Sequence, residues 1–306
     1  MEYFKVIQKV VDYIDEHIQT EITVSDLAKF MGYSPFHFLR IFKEAVGVPP
    51  MEYVTRRKMQ FALRDMGKQT SMNDVAFNYG YDSYAGFAKA FKKVFGMSPS
   101  KYRIHCPNAE PPVINLEELK SYKTGGLISQ PKIIKLDSFS MVGRTYEVPI
   151  SNVRTTRDAP AYWHLNGLTD GEIERTLYQT FAPKKHGEFC LNMAHEQDWS
   201  SFTYFFGILD EKPDQPLSPA FQRITAPASS YAVFSTPAVQ PDEFVDSVKG
   251  TWRYILHYWF PQSDYVIDEA GYDFEFYDER CHPWEHDLVM MEIYIPIELR
   301  NERQPG

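Results

Sequence analysis

The 306-residue chain is 43% hydrophobic and 24% charged, with a formal net charge of −9. This is a globular composition, long enough for two ordinary domains. No window of 18 uninterrupted apolar residues is present, so no membrane span is expected. The segment Met1-Glu2-Tyr3-Phe4-Lys5 has no secretory pattern, and Cys106, Cys190 and Cys281 are too few and scattered for a disulfide framework. The expected location is therefore cytoplasmic. The charge is uneven: residues 1–105 carry 15 Lys+Arg against 11 Asp+Glu, and residues 106–306 carry 17 against 30. A mildly basic head on an acidic body suits one DNA-facing domain and one that avoids phosphate.

Taken in chain order, the head reads as helical throughout, with an internal repeat. Leu27-Ala28 and Met31-Gly32-Tyr33 recur 48 residues later as Val75-Ala76 and Tyr79-Gly80-Tyr81. Phe42-Lys43, Gly47, Pro50 and Tyr53 recur 49 residues later as Phe91-Lys92, Gly96, Pro99 and Tyr102. In the first copy, Thr23 or Ser25 caps a short helix, Gly32 turns the chain, and Ser34-Pro35 opens a second helix. In the second copy, Ser71 and Asp74 make a capping-box-like start, Gly80 turns, and Asp82 or Ser83 caps the next helix. Met51 to Met66 reads as one linking helix spanning roughly 24 Å at about 1.5 Å per residue. Two helix-turn-helix units joined this way can reach successive major grooves, about 34 Å apart.

The segments Ser34 to Lys43 and Gly80 to Pro99 resemble the DNA-binding domain of AraC/XylS-family regulators, over about residues 3–105. That resemblance implies that the outer face of each second helix reads DNA. By position these are Phe36, His37, Leu39, Arg40 and Lys43, then Ser83, Tyr84, Ala85, Gly86, Lys89 and Lys92. Arg40 has the chemistry for bidentate contact with guanine, and the lysines for phosphate contact. A solvated surface charge is the alternative for each. Ala85 and Gly86 are small where relatives place longer polar groups, which shifts the second helix towards phosphate and thymine-methyl contacts. Arg56-Arg57-Lys58 on the linking helix reads equally well as a solvated face.

Residues 106–130, opening with Cys106-Pro107 and Pro111-Pro112, read as a linker. The body, 131–306, reads as α+β: strand at Lys132 to Val148, helix at Ala159 to Thr180, strands at Phe189 to His195 and Phe202 to Leu209. Next come a strand at Tyr231 to Ser235, a helix at Pro241 to Trp259, and strands at Tyr272 to Tyr277 and Val289 to Pro296. The fold class is thus multidomain, with an all-α double helix-turn-helix head and a domain of two β-α-β-β units. Aromatic residues Tyr162, Trp163, Phe205, Tyr254, Tyr258, Trp259, Phe274, Phe276 and Tyr277 are candidates for a concave lining or a core. Alternation puts Asp273, Glu275 and Tyr277 on one face and Phe274 and Phe276 on the other. A carboxylate among aromatics suits a lipophilic cation.

The segments Trp252 to Pro261, Tyr272 to Tyr277 and Glu292 to Ile297 resemble the GyrI-like effector-binding domain, and the order of domains resembles that of Rob-type regulators. The resemblance implies that Glu275 contacts the effector, with Tyr277, Trp163 and Trp259 as further lining residues. The expectation is a non-enzymatic transcription regulator, activator or repressor, that binds double-stranded DNA and a small effector. RNA polymerase is a further partner to consider, and no cofactor or metal is expected. Two alternatives stay open for the body: a GyrI-like hydrolase with Glu275 as general base, or a protein-docking module. Cys281-His282-Pro283-Trp284-Glu285-His286 offers metal-binding side chains, but its spacing matches no usual zinc pattern.

Overall fold

The computed structural model describes residues 2–46, 48–67, 71–105, 131–149, 171–195, 201–260 and 263–300. Gly47, the linker 106–130, Tyr162, Trp163 and the first part of the helix read at 159–180 lie outside them. The chain divides into two compact units, whose described residues are 2–94 and then 95–105 with 131–300. Among the described residues no helix is long and apolar enough to cross a membrane.

The described residues of the first unit form helices and their connecting turns. It contains α1 (Glu2–Glu16), α2 (Val24–Met31), α3 (Pro35–Val46), α4 (Pro50–Met66), α5 (Met72–Asn78) and α6 (Tyr84–Phe95), whose last residue begins the second unit. Local chemistry sets each boundary. Thr23 and Asp26 form a reciprocal capping box at α2, and Gly32 ends that helix at φ 69°. The Ser34 hydroxyl accepts from the His37 amide at 3.3 Å, and Pro35 fills the first helical position. In the second copy the Ser71 hydroxyl accepts from the Asp74 amide at 3.2 Å, and Gly80 takes φ 87°. Of the two cap candidates at α6, Ser83 is used: its hydroxyl accepts from the Gly86 amide at 3.1 Å.

The apolar stripes of these helices meet in a core. Ile7, Val10, Val11 and Ile14 of α1 pack with Leu27, Ala28, Phe38, Ile41, Phe42, Tyr53 and Val54. The spacing in α1 is that of one helical face. Arg57 departs from its expected solvated face. It is 2% exposed, its Nε donates to Asp15 Oδ1 at 2.7 Å, Nη2 pairs with Asp15 Oδ2, and Nη1 donates to Gln60 Oε1 at 2.9 Å. Position on the inner face of α4, opposite an acid of α1, overrides the basic run to which Arg57 belongs. Arg56, one residue earlier, pairs with Glu52 near the surface.

The second unit begins with α7 (Pro99–His105) and is built on one antiparallel sheet. Its strands are β1 (Lys132–Leu136), β2 (Phe139–Pro149), β3 (Glu188–Ala194), β4 (Ser201–Leu209), β5 (Gln222–Ala226), β6 (Ser229–Ser235), β7 (Tyr265–Ile267), β8 (Phe274–Tyr277) and β9 (Glu292–Leu299). Among its described residues the α-helices α8 (Glu172–Phe181) and α9 (Phe244–Tyr254) accompany the sheet. The strand order is β1-β6-β9-β8-β3-β4-β2-β5, with β7 on β9. The pseudo-repeat is therefore present: β2-α8-β3-β4 and β6-α9-β8-β9 meet at the β3–β8 pair. Each also has a leading strand laid on the other half, since β1 pairs with β6 and β5 with β2. The break between β1 and β2, and the strands β5 and β7, escape the sequence reading because short segments carry little alternation.

Helix α7 and the turn before it contribute to this unit through polar contacts. The Gly96 carbonyl accepts from the Ile267 amide at 2.7 Å, and Lys101 Nζ donates to Asp273 Oδ1 at 3.2 Å. Within the sheet, Gly143 of β2 faces Gly207 of β4, and a Cβ at 143 would overlap the Phe206 carbonyl oxygen and Gly207 Cα. Gly143→Ala is expected to cost about 1–3 kcal/mol, as for overpacking elsewhere. An unchanged urea midpoint would show that the two strands can separate freely.

Candidate functional site

Two surfaces carry the expected chemistry. On α3, Phe36, Leu39, Arg40 and Lys43 are exposed, Phe36 at 82%, while Phe38, Ile41 and Phe42 are buried. His37 is half-buried, its ring edge-on to Tyr33 at 4.9 Å. Among the described residues no ion pair holds Arg40. On α6, Ala85, Gly86 and Lys89 are exposed, Ser83, Tyr84 and Lys92 half-buried, and Phe87 and Phe91 buried. The Tyr84 amide donates to Asn73 Oδ1 at 2.8 Å, which fixes the start of α6 against α5. An 82%-exposed phenylalanine is not explained by the core, so Phe36 stands out on this face.

The second surface is the helix side of β3 and β8. Register pairs Cys190 with Glu275 and Glu188 with Tyr277, so these four side chains share one face. Phe274 lies on the other, packed with Phe189, Leu191, Phe205 and Tyr231, and Phe276 packs against that cluster. Phe205, Phe274 and Phe276 thus belong to a core rather than to the Glu275 face. Glu275 is 8% exposed, and both of its oxygens are bound. Trp252 Nε1 of α9 donates to Oε1 at 2.8 Å, and the Tyr277 hydroxyl donates to Oε2 at 2.8 Å. Burial first, and then the Glu275 charge, push the Tyr277 phenol well above its usual range, so it stays protonated and donates. Burial likewise keeps the Cys190 thiol protonated. Among the described residues no lysine or arginine pairs with Glu275.

Trp259 stands elsewhere. Its ring packs on Phe234 at 5.0 Å, Phe260 at 4.9 Å and Tyr265 at 6.1 Å. In a regular helix Trp252 and Trp259, seven residues apart, would share a face. A π-helical turn at Ile255–Trp259 adds a residue and rotates the chain beyond it by about 100°. The tryptophan that reaches Glu275 is thus Trp252, absent from the sequence-based site. Its position three and four residues before Ile255 and Leu256 is the helical spacing that could have found it.

A helix-turn-helix domain family matches residues 27–104, and the GyrI-like small molecule binding domain family matches residues 129–298, more than half of the chain. The HTH-type transcriptional activator AarP of Providencia stuartii is 34% identical over 101 residues, 32% of this chain and 74% of AarP. This chain belongs to the AraC-type regulators that carry a GyrI-like small molecule binding domain. The regulatory protein SoxS of Salmonella typhimurium is 30% identical over 104 residues, 34% of this chain and 97% of SoxS. Other curated relatives are matched over as little as 35% of their length. A structure of SAV2435 bound to tetraphenylphosphonium is similar at 16% identity, with a TM-score of 0.43, over 56% of this chain and 94% of that one.

As an AraC-type regulator with a GyrI-like domain, the protein is a DNA-binding transcription regulator whose C-terminal domain binds small molecules. The two matched regions correspond to the two chemistries described above. Helices α3 and α6 lie in the first, and Glu275, Trp252 and Tyr277 in the second.

Proposed function

We propose that this regulator reads promoters with α3 and α6 and senses a lipophilic organic cation at Glu275. The observation that carries the effector reading is the buried Glu275 carboxylate, bound by two neutral donors and by no fixed cation among the described residues. A charge out of water calls for an opposite charge nearby. A cationic ligand supplies one, and the Trp252 and Tyr277 rings beside the carboxylate add cation–π attraction. Titration of the full chain with tetraphenylphosphonium and with the shape-matched anion tetraphenylborate tests this. The cation should quench tryptophan fluorescence saturably and the anion should not. Equal binding of both would remove charge from the recognition.

On the DNA side, we assign Arg40 to a guanine, Phe36 to a thymine methyl, and Lys43, Lys89 and Lys92 to phosphates. His37, Leu39, Ser83, Tyr84, Ala85 and Gly86 complete the two reading faces, the last two by allowing close approach. Arg40→Ala should weaken specific binding by about 1–3 kcal/mol and relax preference at one base position. Lys89→Ala should instead weaken all sequences alike and reduce the salt slope by about one. Selection of random duplexes by each variant separates the two outcomes. Undiminished preference in the Arg40 variant would remove that residue from the reading set.

The hydrolase reading is separated from sensing by turnover. A sensor returns its ligand intact after prolonged incubation, whereas a general base at Glu275 would convert it.

A further inference from the structure

The pseudo-repeat places a second buried carboxylate opposite the first. The two halves of the sheet meet where Phe189 pairs with Phe276, the rings 5.0 Å apart. A twofold through that pair exchanges Glu188-Phe189-Cys190 with Glu275-Phe276-Tyr277, so Glu188 is the counterpart of Glu275. The helices obey the same symmetry. Trp252 of α9 donates to Glu275, and the Tyr178 hydroxyl of α8 donates to Glu188 Oε1 at 2.7 Å. Glu188 is 7% exposed. The same carboxylate on the same face of both halves, each bound by an aromatic donor from its own helix, marks two cation-directed positions rather than one.

Their surroundings differ in kind. Glu275 is bound by an indole and a phenol, which suit an organic cation. Around Glu188, His186 Nε2 lies 3.2 Å from Glu188 Oε1 and 3.9 Å from Glu174 Oε1. One donor atom from each of these three residues lies within 4.8 Å of the others. Ligands at about 2.0–2.1 Å around a tetrahedral zinc ion stand roughly 3.3 Å apart, so a small side-chain adjustment closes the set. One imidazole with two carboxylates is a nitrogen–oxygen donor set suited to a first-row divalent ion. The Glu174 side chain on α8 is 45% exposed, so the cluster lies within reach of solvent.

We propose that Glu174, His186 and Glu188 form a divalent metal site of the zinc class, which ties α8 to the start of β3. The donor cluster stands without the effector reading of Glu275, and only the comparison of the two halves rests on that reading. In this arrangement α8 is to a metal ion what α9 is to the organic effector, and metal binding holds one side of the sensing face.

The full-length chain, stripped with a chelator, is titrated with zinc chloride in competition with a chromogenic chelator. One equivalent of zinc should be held. It should be lost in His186→Ala and weakened by on the order of tenfold or more in Glu174→Gln, a same-size change at a side chain 45% exposed. Glu275→Gln and Cys281→Ser should leave it in place. Absence of zinc beyond the chelator's share would overturn the proposal. So would an equivalent that survives His186→Ala, or one that leaves with Cys281→Ser.

Discussion

Arg57→Ala is expected to lower the stability of the N-terminal unit by about 3 kcal/mol or somewhat more, the cost of breaking a buried ion pair from one side. The guanidinium spends its Nε and Nη2 on Asp15 of α1 and its Nη1 on Gln60 of α4. Removing it leaves a cavity beside a partly buried carboxylate and unties α1 from the linking helix. Arg56→Ala, in the same basic run, should cost less, about 1 kcal/mol, because its partner Glu52 is a surface acid four residues away and the loss is chiefly the packing of a side chain 14% exposed. Urea unfolding of the full chain, monitored by far-ultraviolet circular dichroism, separates the two. Asp15→Asn and the double variant complete a cycle, and a coupling near zero would mean that Arg57 acts through packing alone.

Glu275→Gln should do the opposite to the ligand-free protein while weakening its effector. The amide keeps the side chain's size and can still accept from Trp252 Nε1. What it loses is a buried charge with no fixed counter-ion, so the ligand-free protein should melt at the same temperature or higher. Affinity for tetraphenylphosphonium should fall at least tenfold, or about 1.4 kcal/mol. The thermal shift that the cation gives the unaltered protein should shrink accordingly, since that shift reports affinity for the folded state. A variant that melts lower, yet keeps the full shift, would make Glu275 a structural residue.

Local chemistry accounts for the part of the fold that was legible in the sequence. The helix-turn-helix repeat is written in residues that act within a turn of themselves: Thr23 with Asp26, Ser34 before Pro35, Gly32 and Gly80 at positive φ. The alternation that separates Glu275 and Tyr277 from Phe274 and Phe276 was readable for the same reason. Residues whose meaning depends on distant partners were not. Arg57 reads as one of three surface cations until α1 supplies Asp15. Trp259 reads as the pocket tryptophan until a π-helical turn rotates it away. Glu188 opens β3 two residues after a histidine, and only the meeting of the two half-sheets shows that it mirrors Glu275.

The central claim, that α3 and α6 read a sequence, is tested most directly by selecting random duplexes with the full chain at two salt concentrations. The full chain is required because α7, inside the matched helix-turn-helix region, belongs to the second compact unit and pairs Lys101 with Asp273. An enriched motif with two half-sites about 34 Å apart, one helical turn, is the predicted result. Salt-sensitive binding with no enriched motif at either concentration would contradict it.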